Sequence, residues 1–479
     1  MRLATHHTAW PMLLTAAFAV EAVQARPTST LGTGVLRQAP GLEAVAAVPD
    51  LPASDLEARA ALAANLVNLG NQLSDQGRHG EALAATEEGV AMFRALADKG
   101  PAFRAQLAWS LHSLARRHLA LDRPGDALAP AQEAVASLRE EAQTNPLHQR
   151  EWASAIHTLS RVRSGLNQTR EALALSREAV AIWRPVVKTQ PLHRTGLADA
   201  LSNKSVLLLS DGQRQEALDP ALEAEQILRD LARGKTELRG EHANALLQVG
   251  TVRRELGQGP QSLAPNQEAV ALLRELAASD TSQRRHLGRA LIGLGLSYGA
   301  MGRLEESLAI SQEAAAMARE VAQTNPQYRL DLAIALNNLG LAYGDAGRRQ
   351  EALAPTQEAV SLYRVLVKTQ TADRADLSSS LSNLGKAHGE LGQLREALPP
   401  LVETVGLLRA LVKDSPAHRG DLARALSNLG YLRLLMGQKD QARALLEESL
   451  ELVRPLAASN PYYQGDLRRT IANLEQLKR

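Results

Sequence analysis

The chain has 479 residues, and its 54 Lys and Arg against 52 Asp and Glu give a formal net charge of +2. Such a nearly neutral balance argues against a nucleic-acid binder that works by neutralising phosphates. The absence of Cys excludes disulfides, thiolate metal sites and cysteine nucleophiles. The abundant Ala, Leu, Glu, Gln and Arg are strong helix formers and favour an all-α chain.

The first 25 residues have the order of a secretory signal. Arg2 precedes an apolar stretch over 9–20, and Val23-Gln24-Ala25 resembles a cleavage site. Pro11 and Glu21 depart from this order, so a leader without signal function, or a mis-assigned start, is the alternative. Cleavage would place the protein in the periplasm or outside the cell; otherwise it would be cytoplasmic. Residues 26–53 are predicted to form a flexible linker, and no apolar run reaches the roughly 18 residues of a membrane helix.

Residues 54–479 repeat with a period of 45 residues. An apolar position recurs at Leu66, Leu111, Ile156, Leu201, Leu246, Leu291, Leu336, Leu381, Leu426 and Ile471. Another position always holds Gly, Asn or Asp, the residues that tolerate a left-handed backbone at a helix end. Its members are Gly77, Asp122, Asn167, Gly212, Gly257, Gly302, Gly347, Gly392 and Gly437.

Each period predicts two helices, A and B, joined by a tight turn. In helix A, apolar residues recur at i, i+4, i+7 and i+11. In the first copy, helix B is predicted over about 81–97. Nine A/B pairs fit between Ser54 and Ala458, with Ser54 and Glu57 as a capping box at the start. A lone polar helix over 461–479 is predicted to cap the stack.

Five copies carry a proline about five residues into helix B. Such a proline removes a backbone hydrogen bond and costs roughly 3 kcal/mol. We therefore expect helix B to begin late or to bend at Pro130, Pro220, Pro265, Pro355 and Pro400.

The spacing inside each copy resembles the tetratricopeptide repeat. The residues that carry the resemblance are Leu336, Leu339, Gly340, Tyr343, Gly347, Ala352 and Ala359. The usual unit has about 34 residues, so these 45-residue copies resemble the long-helix branch typified by kinesin light chain and bacterial multi-repeat proteins. The resemblance implies a right-handed superhelix, an α-solenoid of nine pairs plus a capping helix. It also implies a concave groove, lined by A helices, that binds a peptide.

The resemblance further implies that the residue before each Leu-Gly pair faces the ligand. Asn is frequent there, and an amide can pair with any peptide backbone. The alternative is that Asn bridges adjacent A helices, and that nearby charges only solvate the groove. The candidate peptide-binding residues are Asn203, Asn337, Asn338, Asn383, Lys386, Arg424, Asn428, Tyr431, Arg469 and Asn473.

The equivalent N-terminal sites differ, with His112, Arg116, His157 and Arg161. Two histidines without carboxylates make a poor metal site, so no metal is expected.

Two positions of helix B are invariant across nine copies, one Glu and one Arg. We expect inter-repeat ion pairs that set the stacking angle; a charged convex binding surface is the alternative. The members are Glu88, Glu133, Glu178, Glu223, Glu268, Glu313, Glu358, Glu403 and Glu448, with Arg94, Arg139, Arg184, Arg229, Arg274, Arg319, Arg364, Arg409 and Arg454.

No motif for catalysis is found. Gly234-Lys235-Thr236 lacks the first glycine of a phosphate loop, because Arg229 stands there. We therefore expect a non-catalytic scaffold without cofactor that binds a protein or peptide partner. The alternatives are a regulatory or sensor module acting through self-association or by capping a signalling partner, and an envelope or secretion-associated adaptor.

Overall fold

The computed structural model describes residues 55–368, 374–414, 418–459 and 461–477. The predicted leader, 1–25, and linker, 26–53, lie outside the described residues. All regular structure in these ranges is helical, as the composition predicts. The A helices are α1 (Leu56–Asp75), α3 (Pro101–Ala120), α5 (Gln149–Gly165), α7 (Arg194–Ser210), α9 (Arg239–Glu255), α11 (Arg284–Ala300), α13 (Arg329–Asp345), α15 (Arg374–Glu390), α17 (Arg419–Leu435) and the last helix, α19 (Gln464–Gln476). The B helices are α2 (His79–Leu96), α4 (Pro124–Thr144), α6 (Thr169–Thr189), α8 (Leu218–Ala232), α10 (Gly259–Ser279), α12 (Leu304–Thr324), α14 (Arg349–Val367), α16 (Leu394–Asp414) and α18 (Lys439–Ser459).

The helices form two compact units that divide between Thr236 and Glu237. The N-terminal unit contains α1–α8, and the C-terminal unit contains α9–α19. Within each unit, an A helix packs against its own B helix and against the neighbouring A helix. Ala and Leu fill these contacts; Ala290, Leu291 and Leu336, for example, are almost fully buried in the core of the C-terminal unit.

The turn between helices A and B has the left-handed backbone that its residue types predict. After α1, the Gly77 amide donates to the Ser74 carbonyl at 2.9 Å, and the Arg78 amide donates to the Leu73 carbonyl at 2.9 Å. These bonds satisfy carbonyls that the helix end would otherwise leave without partners. The φ angles are 74° at Gly77, 52° at Asp122, 59° at Asn167, 79° at Gly212, 72° at Gly257, 71° at Gly302, 76° at Gly347, 73° at Gly392 and 76° at Gly437.

The glycine of each Leu-Gly pair lies where helices A and B approach closely. A Cβ atom on Gly340 would lie 2.1 Å from the Thr356 Oγ1 and 3.4 Å from the Ala352 carbonyl oxygen. The sequence follows this constraint, because copies with a bulkier A residue have a small B residue, as in Ala115 with Ala131. The Leu-Gly signature therefore records a steric limit on the packing of A against B.

Two local predictions need correction. The first helix is capped by Asp55, whose Oδ1 accepts the Ala58 amide at 2.9 Å. Ser54, the predicted cap, lies outside the described residues. The late start of helix B is confirmed at Pro220, where α8 begins at Leu218. The late start is wrong for the other four prolines, whose helices begin in the usual register and contain the proline: Pro130, Pro265, Pro355 and Pro400. The alternative, a bend of the helix at these prolines, stays a prediction.

The position of these prolines in the packing explains why the helices continue through them. Pro130, Pro355 and Pro400 are buried, and the same position holds Leu175 and Ile310 in other copies. The pyrrolidine ring thus fills an apolar site in the second turn of helix B. The missing amide costs one backbone bond, while burial of the ring stabilises the helix against its neighbours.

Six of the invariant Arg residues of helix B form ion pairs with the invariant Glu of the next copy, which confirms the expected inter-repeat ion pairs for these copies. In each pair the Arg of one B helix reaches the Glu of the next B helix, and both side chains are partly exposed. Such pairs contribute about 0–1 kcal/mol each, so they act more on orientation than on stability. The Arg–Glu distances are 2.9 Å for Arg94–Glu133, 2.7 Å for Arg184–Glu223, 2.7 Å for Arg274–Glu313, 2.7 Å for Arg319–Glu358, 2.5 Å for Arg364–Glu403 and 2.5 Å for Arg409–Glu448.

Candidate functional site

A cavity of about 300 Å³ lies within the C-terminal unit. A helices supply most of its wall: α9 contributes Arg254 and Glu255, and α13 contributes Asn338 and Leu341. Arg424 of α17 and residues of α11, α12 and α19 also line the cavity. The cavity therefore brings together A helices from the beginning and the end of this unit. Its size is at the lower end of ligand pockets in proteins.

Three of the ten candidate residues line this cavity: Asn338, Arg424 and Arg469. Lys386 and Asn383 border a second, much smaller cavity of about 20 Å³ between α13, α14 and α15. The structure does not gather the remaining candidates at either of these two cavities. Asn203 lies in the N-terminal unit, and the others are Asn337, Asn428, Tyr431 and Asn473.

Several of the asparagines bridge helices. The Asn383 Nδ2 donates to the Asn337 Oδ1 at 3.1 Å, which joins α15 to α13. The Asn473 Nδ2 donates to the Ser427 Oγ at 3.4 Å, which joins α19 to α17. In the N-terminal unit, the Asn203 Nδ2 donates to the Ser160 Oγ at 3.0 Å. These three asparagines thus bridge adjacent A helices, which was the alternative to ligand contact. Peptide contact by them stays a prediction.

Unlike the three asparagines that bridge helices, Asn338 bonds within its own helix. Its Nδ2 donates to the Ile334 carbonyl at 2.9 Å, one turn earlier in α13. Its Oδ1 is buried and has no hydrogen-bond partner among the described residues, although the side chain borders the large cavity. A buried acceptor without a donor is costly, and a ligand N–H would satisfy it.

Arg424 is held in a charged network at the end of the cavity. It pairs with Asp421, lies 3.7 Å from the Asp466 Oδ2, and donates to the Tyr462 hydroxyl at 3.0 Å. Burial disfavours its charge, but Asp421, Tyr462 and Asp466 outweigh burial and raise the pKa of Arg424 above its usual value. Its charge is therefore already compensated within the protein.

Arg254 is a functional candidate that the sequence argument missed. Its side chain borders the cavity, only 8% of the residue is exposed, and none of its three guanidinium nitrogens has a hydrogen-bond partner among the described residues. Burial lowers its pKa, and only the neighbouring Glu255 opposes this effect. The signal was available, because the equivalent positions hold Ser, Leu or Gly, such as Leu209 and Gly299.

In the N-terminal unit, His112, Arg116, His157 and Arg161 form a different cluster. The His112 Nε2 and the Thr158 Oγ1 lie 2.8 Å apart, which links α3 to α5. Burial, followed by nearby positive charge, lowers the pKa of His112 to about 3, and the pKa of His157 likewise to about 3. Both rings are therefore neutral at pH 7. Within the described ranges, no three His, Asp, Glu or Cys side chains are grouped so that they would hold a metal ion.

No helix in the described part of the chain is both long and apolar enough to cross a membrane.

Family models described as tetratricopeptide repeat match residues 107–143, 286–364, 377–418 and 423–452. The repeat type expected from the sequence is thereby confirmed. A search of curated proteins finds no match to this chain.

Similar solved structures include a Rap protein complexed with Competence and Sporulation Factor, at 14% identity and a TM-score of 0.52, covering 83% of this chain and 99% of that one. BtubC (BKLC) from P. vanneervenii is 17% identical with a TM-score of 0.42, covering 51% of this chain and 92% of that one. A Podosopora anserina protein with nearly identical TPR-like repeats, described as a kinesin light chain, is 18% identical with a TM-score of 0.34, covering 45% and 95%. At these identities the likeness concerns the fold alone.

Proposed function

We propose that this chain, which is built from tetratricopeptide repeats, is a scaffold that binds a polypeptide segment in the large cavity of its C-terminal unit. The repeat family supports a role in protein–protein interaction and is generally non-catalytic. The segment would lie against Asn338 and Leu341 of α13 and meet Arg424 and Arg469 at the other end of the unit.

The observation that carries the proposal is the lining of the cavity. Apolar side chains such as Leu296 and Leu341 alternate there with polar and charged groups. Because the Asn338 Oδ1 has no donor within the described ranges of the chain, the wall offers an unused acceptor to a peptide amide. A few convergent polar groups on an apolar wall are typical of ligand sites.

Not all of the predicted contact residues are equally suitable for testing this proposal by mutation. Asn383 and Asn473 already use their amide nitrogens between A helices, so replacing them would change helix packing as well as any ligand contact. Residues that line the cavity without holding helices together are better probes. Leu341 is such a residue, since it is half-buried and borders the cavity.

The test is selection of a phage-displayed random peptide library on the full chain, followed by fluorescence anisotropy titration of a selected peptide. The variant Leu341→Trp adds a large ring to the cavity wall, and we expect it to weaken binding at least tenfold. The matched control is Val402→Trp, which adds the same ring to an exposed site on helix B α16. This control should bind like the original chain.

Equal peptide affinity for all three proteins would contradict the proposal, as would a library that yields no binding peptide. Light scattering on the same samples would show whether the chain instead self-associates. A stable oligomer that buries the cavity and excludes every peptide would favour self-association over peptide binding.

A further inference from the structure

Arg254 is a buried cation whose hydrogen-bonding capacity is unused. A guanidinium has five N–H donors arranged in a planar fork. In the described part of the chain none of the three guanidinium nitrogens of Arg254 finds an acceptor, and the residue is 8% exposed. Burying a charge without hydrogen bonds is among the most unfavourable arrangements in a protein. A native structure retains such a group mainly where something else completes it.

Arg254 lies beside open space rather than against protein atoms on every side. Its side chain borders the large cavity, and the equivalent position one repeat later, Gly299, borders the same cavity without a side chain. Arg424, a second cation of the cavity wall, is compensated by Asp421 and Asp466, whereas the guanidinium nitrogens of Arg254 have no acceptor among the described residues.

We infer that Arg254 is the anchor of an oxyanion subsite in this cavity, which takes a carboxylate or phosphoryl group of the bound segment. The inference rests on the proposed function and adds the charge of its ligand. A planar oxyanion suits the guanidinium fork, because two parallel N–H bonds can form with it. The Asn338 Oδ1 on the same wall, which no described residue donates to, would accept an N–H from the ligand backbone.

The first test uses anions alone on the full chain. Melting temperature is measured in sodium phosphate, sodium acetate and sodium chloride at equal ionic strength, for the original protein and for Arg254→Met. We expect phosphate, acetate or both to raise the melting temperature of the original protein above that in chloride, and Arg254→Met to lose this rise. We also expect Arg254→Met to melt higher than the original protein in chloride, because it removes a buried charged group that has no hydrogen-bond partner among the described residues.

The control for this test is Arg395→Met, which removes an exposed cation from α16 and should keep the anion response. A rise with phosphate only would identify a phosphoryl group as the ligand chemistry, and a rise with acetate only would identify a carboxylate. An anion response that is identical in the original protein and in Arg254→Met would overturn the inference.

The second test uses a peptide selected on the full chain and its analogue with every acidic group converted to an amide. Arg254→Met should weaken the acidic peptide about tenfold or more, since a hydrogen bond to a charged group contributes roughly that factor. Arg254→Lys keeps the charge and loses the planar fork, so its affinity for the acidic peptide should lie between those of the original protein and Arg254→Met. The analogue should bind both variants alike.

The outcome separates this inference from the proposed function. If the peptide binds Arg254→Met and the original chain equally, while Leu341→Trp abolishes binding, the cavity proposal stands and the oxyanion subsite is wrong.

Discussion

The close approach of helix A to helix B at Gly340 gives a sharp test of the packing argument. In Gly340→Ala the new Cβ atom would lie 2.1 Å from the Thr356 Oγ1, far inside contact distance. Thr356 is 1% exposed, and its hydroxyl donates to the Ala352 carbonyl at 2.6 Å. The threonine therefore cannot turn away without breaking a buried hydrogen bond.

The magnitude follows from three terms. Overpacking costs about 1–3 kcal/mol, loss of the Thr356 bond costs about 1 kcal/mol, and the helix propensity of Ala over Gly returns about 1 kcal/mol. We expect a net local destabilisation of about 1–3 kcal/mol. The control is Gly344→Ala in the same helix, where nothing lies within 4 Å of the added atom, and which should stabilise α13 by up to about 1 kcal/mol.

The assay is native-state hydrogen exchange followed by mass spectrometry on peptides from α13 and α14, because repeat arrays need not unfold in two states. The double variant Gly340→Ala/Thr356→Ala recreates the Ala115–Ala131 pair that the chain already uses. It should be less destabilised than the sum of the single variants by about 1–2 kcal/mol. Additive effects, or a Gly340→Ala protein that exchanges as slowly as Gly344→Ala, would refute the steric argument.

Three further predictions concern other parts of the chain. His112 and His157 have folded pKa values of about 3, below their unfolded values, so the unfolded state binds more protons than the folded state as the pH falls. The free energy of unfolding, measured with urea, should therefore drop by up to about 1.4 kcal/mol per pH unit for each histidine between pH 6 and pH 4. His112→Gln should reduce that slope. Gly347→Ala, at a φ of 76°, should cost about 1 kcal/mol by the same unfolding measurement, because only Gly adopts a left-handed backbone without strain. Arg319→Met should cost at most about 1 kcal/mol, since the side chains of Arg319 and Glu358 are 43% and 45% exposed, and the loss should vanish in 1 M salt.

Most of the fold was predictable because the repeat states each local rule many times. The left-handed turn at Gly77 and its equivalents follows from residue type alone, and the Arg–Glu pairs follow from two invariant positions. The late start predicted for helix B was wrong at Pro130 because the prediction considered the lost hydrogen bond and not the apolar site that the proline ring fills.

The candidate site was less predictable, because it depends on departures from the repeat. Arg254 is a single charged residue in a register of small and apolar ones, and its environment includes helices far away in sequence, such as α19. A prediction based on what the copies share does not identify a residue that occurs in one copy alone. The asparagine register, in contrast, is well conserved between copies within this chain, and at Asn383 and Asn473 the structure uses it between helices.

Hydrogen exchange of the full chain, with and without a saturating selected peptide, tests the central claim most directly. Binding in the cavity predicts slower exchange in α9, α13 and α19, which border it, and unchanged exchange on the exposed surface of α14 and α16. Slower exchange confined to helices B, or to the N-terminal unit, would contradict the claim that the cavity of the C-terminal unit holds the bound polypeptide.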